Sequence, residues 1–392
     1  EVSDSSLEHA PLLPPGGNYY SLDNKIELGE MATLFFNEFG RILFYICLAI
    51  YLYGDLSIYS AAVAKSLRDV VCISNSSSDI DMSDESPCWK NSTLSRLDVY
   101  RIALISFVLT LGPFVFFNVQ KTKYIQMATI SFRWLAFTVM ISIAIHRLIV
   151  NGPNHDRVPA NFREIPSLFG ACVYSFMCHH SLPSLLTPIS DKRRIKSLMG
   201  YDYFIICLFY LFLALTGTFA FNHLEDLYTL NFVPTFGQGS LILEIIEYFL
   251  TLFPVFTLSA SFPIIAITLR NNLQTLFLDM TRFESYNFLQ RKCIFPLLAI
   301  SPPIIITYFT SSVTDLVGFT GSYAGTIIQY LIPVSLVYFA RRACKQVLGQ
   351  GVLNNFRSPF QSRNWLIFVF IWAVACVIFA TINLFTKSKA GT

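Results

Sequence analysis

About nine apolar stretches follow one another through this chain of 392 residues. Each is close to the roughly 20 residues that carry an α-helix across a bilayer. They fall near 42–64, 102–119, 127–150, 166–188, 203–221, 241–269, 293–310, 319–340 and 365–386. In hydrocarbon every backbone polar group must be satisfied by the protein itself, which leaves helices or closed barrels as spanning structures. Runs of this length select helices, because a barrel strand needs only about half as many residues. The fold class expected is therefore all-α integral membrane. Composition agrees: 14% of the residues are charged, where a soluble domain has about 25%.

Charge sets the topology. Lys and Arg concentrate in short cytosolic loops. Basic loops occur at Lys121 and Lys123, at Lys192-Arg193-Arg194 with Lys196, from Arg270 to Lys292, and from Arg341-Arg342 to Arg363. They alternate with 222–240 and 311–318, which contain no Lys or Arg. The alternation places a polar tail, 1–41, in the cytosol, a transmembrane domain over 42–386, and a C-terminus, 387–392, on the lumenal or outer side. Loop 65–101 falls on that outer side and carries the glycosylation sequons Asn75-Ser-Ser77 and Asn91-Ser-Thr93. Cys72 and Cys88 share the same oxidising side, either as a disulfide or as two free thiols.

The tail is expected to lack a fixed structure. Glu8 followed by Leu12-Leu13 fits an acidic dileucine sorting signal, and Tyr19-Tyr-Ser-Leu22 a tyrosine-based one. They point to a clathrin adaptor as partner and to an endolysosomal membrane, the plasma membrane being the alternative. The scattered basic residues form no single face for nucleic acid. No CxxC or Cys/His spacing suggests a metal, and no cofactor is expected.

Residues 166–188 differ from the other stretches. They span a bilayer in length but carry Ser175, Cys178, His179, His180, Ser181 and Pro183. Pro183 has no N–H, so the helix is expected to break there. A broken helix offers backbone groups to a solute near the bilayer midplane; a proline-kinked helix packed in a bundle is the plainer reading. His179 and His180 suit either proton relay or capping of the broken end.

Asp55 lies mid-span between Tyr51 and Tyr59, which share its helix face. A carboxylate there costs about 2.5–3.5 kcal/mol on insertion scales, so it marks an ion or proton path or a structural hydrogen bond. It has no carboxylate partner evident in the sequence, and no hydrolase or metalloprotease motif occurs, so an enzyme is not expected.

Several runs carry a family resemblance: Tyr51-Leu-Tyr-Gly54-Asp55-Leu-Ser-Ile-Tyr59, Val119-Gln-Lys-Thr-Lys-Tyr124, Val173-Tyr-Ser-Phe-Met-Cys-His179, Ser181-Leu-Pro-Ser-Leu185, and Phe262-Pro-Ile-Ile-Ala-Ile-Thr-Leu-Arg-Asn-Asn272. With them the chain resembles the amino acid/auxin permease superfamily, relatives of the sodium-coupled neutral amino acid transporters. The resemblance implies a LeuT/APC-like inverted-repeat bundle of eleven spans. The nine here then match the third to the eleventh, and the first two are expected to be missing, as in a truncated isoform. Residues 166–188 match the broken sixth span, unwound around Ser175 to His179, with Ser175, Phe176, Cys178 and His179 against the solute. Thr257, Ser259 and Ser261, just past Pro254, correspond to hydroxyls that help hold Na⁺. The function implied is secondary active amino acid transport, with Na⁺ or H⁺ as coupling ion and Asp55 in that path. The alternatives are a non-transporting amino acid sensor or scaffold, and an inactive truncated isoform.

Overall fold

The computed structural model describes residues 20, 24, 26–72, 84–89, 93–117, 123–153, 162, 165–233, 241–278, 286–348, 354 and 356–390. The sequons at Asn75 and Asn91 and the dileucine signal at Glu8, Leu12 and Leu13 lie outside the described residues.

Among the described residues, eight helices are long and apolar enough to cross a membrane. The chain is an all-α, multi-pass integral membrane protein. The helices are α1 (Leu28–Phe35), α2 (Glu38–Val71), α3 (Arg96–Leu111), α4 (Lys123–Asn151), α5 (Ile165–Ser175), α6 (Leu182–Leu186), α7 (Ile195–Ala220), α8 (Leu241–Phe277), α9 (Phe295–Phe309), α10 (Val313–Thr320), α11 (Ile332–Leu348) and α12 (Arg363–Ala390). The stretch 166–188 is not among the eight, because it is split between α5 and α6.

Helix ends run past the apolar stretches. The 34 residues of α2 reach about 51 Å, well beyond a hydrocarbon core of about 30 Å, and its last turns carry Lys65, Arg68 and Asp69. The start of α3 is fixed by a capping box, in which the Asp98 amide donates to Ser95 Oγ and the Ser95 amide to Asp98 Oδ2, each at 3.1 Å.

Two compact units divide the chain. The first comprises Glu1–Cys47, Pro166–Tyr203 and Gly321–Thr392. It holds α1, α5, α6, α11 and α12. Between α10 and α11 lie two wide-turn π segments, Gly321–Gly325 and Ile327–Leu331. Here the tail departs from expectation: residues 28–35 are helical, with Leu28 and Ala32 buried and Phe36 edge-on to Phe339 at 5.8 Å. Eight residues are too few for a span, but their apolar face is enough to dock on α11. The Glu27 amide, donating to Glu30 Oε2 at 3.0 Å, fixes where the helix begins.

The second unit comprises Leu48–Ile165 and Phe204–Thr320. Its core gathers Ala136, Met140, Ala144, Phe221, Phe232, Leu250 and Phe253. One end is closed by ions and a disulfide. Cys72 and Cys88 are bonded. Beside them Arg68 donates to Asp69 at 2.7 Å and to Asp84 at 2.8 Å, and Arg96 reaches the same Asp69. Lys65 pairs with Asp226 at 2.7 Å.

The prolines inside α8 and α9 do not break these helices. Pro254 and Pro263 lie inside α8, and Pro302 and Pro303 inside α9. A proline leaves the carbonyl four residues earlier without its helical donor. For Pro302 that carbonyl is Leu298, and the Tyr53 hydroxyl donates to it at 2.9 Å. At the C-terminal end of α9, the buried Tyr100 hydroxyl donates to the Thr307 carbonyl at 2.9 Å.

Candidate functional site

The break in the first unit is a loop of backbone between α5 and α6. Helix α5 ends at Ser175, and α6 begins at Leu182. The break lies just upstream of Pro183, over the residues whose continued helix its ring would obstruct. Pro183 itself occupies the second position of α6, where an N–H has no intrahelical partner to lose. The chain unwinds over 176–181, upstream of it. There the Phe176 amide reaches the Cys172 carbonyl at 3.3 Å and the Met177 amide the Tyr174 carbonyl, also at 3.3 Å. Ser181 donates back to the Cys178 carbonyl at 3.0 Å. The intervening amides of Cys178 and His179 make no hydrogen bond among the described residues. The Nδ1 of His179 is buried and likewise without a partner among them.

The four residues assigned to the solute therefore differ in setting. Ser175 is exposed and its hydroxyl is turned back onto its own helix, 2.8 Å from the Ala171 carbonyl. Phe176, Cys178 and His179 are half-buried within the unwound stretch. Tyr203 binds two of them: its ring stacks on Phe176 at 6.2 Å and its hydroxyl lies 2.9 Å from Cys178 Sγ. Sequence reading missed Tyr203, which opens an apolar run as an ordinary interfacial tyrosine would. His180 is half-buried beside His179.

A close approach holds the broken helix in place. A Cβ on Gly321 would strike the Gly170 carbonyl, with the Tyr174 side chain at 3.1 Å, so only glycine fits. Gly321 opens the first π segment. Such irregular turns shift the backbone hydrogen-bond register and recur at functional sites. Tyr323, in the same segment, shares a hydrogen bond with Thr381 of α12 at 3.1 Å.

The second unit holds the residues assigned to ion coupling. Asp55 stands at the middle of α2, 4% exposed, on one face with the buried Tyr51 and the half-buried Tyr59. Its neighbour Gly54 packs on Thr320, whose side chain occupies the place a Cβ would take. In α8 the buried Thr257 donates to the Phe253 carbonyl at 2.9 Å and Ser261 to the Thr257 carbonyl at 3.3 Å. Thr257 and Ser261 share a face at i, i+4 spacing. Ser259, two residues on, points about 200° around the helix, so the three hydroxyls do not converge on one point. Pro263 gives the Ser259 carbonyl no helical donor.

Eight apolar spans, an interruption between α5 and α6 and a buried carboxylate at the middle of α2 define a multi-pass membrane protein with polar groups inside its bundle. Over residues 18–385 the chain matches the model of the family described as transmembrane amino acid transporter protein, and it belongs to that family. It is 60% identical over 385 residues to the transmembrane protein 104 homolog of Drosophila melanogaster, an alignment covering 94% of this chain and 75% of that protein. It is 46% identical to human transmembrane protein 104, over 94% of this chain and 74% of the relative. The Dictyostelium discoideum homolog is 34% identical over 99% of this chain and 78% of its own length.

Proposed function

We propose that this chain carries amino acids across a membrane, binding them at the unwound stretch 176–181. The observation that carries this reading is a pair of adjacent amides, Cys178 and His179, without partners among the described residues, in the middle of a span. Two successive amides suit a carboxylate. The carbonyls at the C-terminal end of α5 carry the negative end of a helix dipole and suit an ammonium group. An amino acid presents both charges about one residue apart. Phe176, held against Tyr203, supplies an apolar wall, and Cys178 a soft edge.

Transport of this kind is driven by a second gradient. Asp55 is the group proposed to couple it, by taking a proton or by neutralising Na⁺; the Thr257 and Ser261 oxygens add hard ligands. The paired tail signals support an endolysosomal destination through a clathrin adaptor, and the two sequons support glycosylation of the outer loop.

Uptake of radiolabelled amino acids into proteoliposomes, with and without imposed Na⁺ and pH gradients, tests the reading. Saturable uptake that collapses when the gradient is dissipated is the result expected. Saturable binding without flux would replace transport with sensing.

A further inference from the structure

A cavity rich in cationic side chains lies in the first unit, at the ends of α11 and α12. It measures about 270 Å³ and is lined by Tyr338, Arg341, Arg342, Lys345, Gln361, Arg363 and Leu366. Four of these seven are cations. Arg341 donates to the Phe360 carbonyl at 2.9 Å and the Gln361 carbonyl at 3.1 Å, which fixes one wall. Arg363 sits over the Tyr338 ring at 5.8 Å. Arg342 and Lys345 are exposed.

The sequence has no Asp or Glu after Asp315. Among the described residues none of the four cations forms an ion pair. The partial positive charge at the start of α12 meets the partial negative charge at the end of α11, so the side chains set the charge of the cavity.

The position matters as much as the charge. The cavity sits where two candidate spans end, Val313–Leu348 and Arg363–Ile382. Exposed Phe360, whose carbonyl Arg341 holds, and Trp365, edge-on to it at 5.0 Å, stand beside it, and tryptophan settles at headgroup depth. The excess of Lys and Arg assigns this end to the cytosol. Basic pockets between spans on the cytosolic side suit anionic lipid headgroups.

We propose that this cavity binds the headgroup of a phospholipid carrying more than one phosphate, drawn from the cytosolic leaflet. Four cations match several negative charges better than one, and the flanking apolar side chains accept the start of the acyl chains. A soluble polyphosphate offers the same charge without the chains, so the lipid is the occupant the flanking surface favours.

The test uses the full chain in detergent and a short-chain fluorescent phosphatidylinositol bisphosphate, read by polarisation. Saturable binding is expected, with the phosphatidylcholine analogue failing to compete and soluble inositol trisphosphate competing more weakly than the lipid. The variant Arg342→Gln/Lys345→Gln removes two exposed cations that make no hydrogen bond among the described residues. It should weaken binding about 25-fold, each cation near an anionic surface being worth about fivefold. The variant Arg193→Gln/Arg194→Gln removes equal charge from residues that do not line the cavity and should bind within about twofold of the parent. Elution volume on size exclusion establishes that both variants are folded. Equal binding by Arg342→Gln/Lys345→Gln, or an equal loss in both variants, would overturn the proposal. Inositol trisphosphate binding as tightly as the lipid would assign the cavity to a soluble anion instead.

Discussion

The Tyr53 hydroxyl donates to the Leu298 carbonyl across 2.9 Å, and Leu298 is the residue whose helical donor Pro302 removes. One hydroxyl on α2 thus repairs a gap that a proline opens in α9. In lipid no water stands by to do so. Tyr53→Phe should therefore cost about 0.6–1.7 kcal/mol, the range of hydrogen bonds between membrane helices. Thermal unfolding in detergent measures it, and an unchanged midpoint would mean that another donor serves Leu298.

Gly321→Ala should be far more damaging than its single methyl suggests. The added Cβ would meet the Gly170 carbonyl, which is backbone and cannot rotate away. Overpacking of this sort costs about 1–3 kcal/mol. The same change at Gly54 presses on the Thr320 side chain, which has more freedom to move. Parallel melting curves should rank Gly321→Ala as the less stable, and the reverse order would show that α5 and the π segment separate readily.

The ionic cluster makes a stability prediction of its own. Arg68 is buried and holds both Asp69 and Asp84. Removing Arg68 leaves Asp69 to Arg96 and the part-exposed Asp84 to solvent, so the cost is that of lost charged hydrogen bonds, about 1–3 kcal/mol, rather than of stranded buried charges. Arg68→Gln should lower the unfolding midpoint accordingly, whereas Arg194→Gln, an exposed cation paired with Asp191, should leave it within about 1 kcal/mol.

Asp55→Asn keeps the shape of the buried side chain and removes its charge. A folded Asp55→Asn protein should still bind amino acid while losing the dependence of uptake on the ion gradient. Uptake traces at several Na⁺ concentrations and pH values measure this. Unaltered ion dependence in the folded variant would return Asp55 to a structural role.

The spans were legible because hydropathy is a local property: each long run but 166–188 became a spanning helix, extended by polar turns that hydropathy does not count. The break in 166–188 was legible too, from Pro183, and the family resemblance placed its unwound part around Ser175 to His179; the chain is unwound over 176–181, directly upstream of Pro183. Helix α1 escaped notice because eight residues in a polar tail show no span-like run, and only packing on α11 stabilises them. Tyr203 and the cluster of Arg68, Asp69, Asp84 and Arg96 were invisible for another reason. Their partners come from distant parts of the chain, and single-sequence patterns carry no pairing information. The π segments leave little trace beyond Gly321 and Gly325.

The central claim is that solute rests on the unwound stretch, and Cys178 reports on it directly. Its sulfur lies there, 2.9 Å from the Tyr203 hydroxyl, while Cys172 stands upstream in α5 as an internal control. The measurement is the rate of Cys178 alkylation by a small maleimide in proteoliposomes, followed by peptide mass spectrometry while amino acid is titrated. The account predicts that a transported amino acid slows modification of Cys178 but not of Cys172, with a half-maximal concentration equal to the KM of uptake. Saturable uptake accompanied by an unchanged rate at Cys178 would place the solute elsewhere and contradict it.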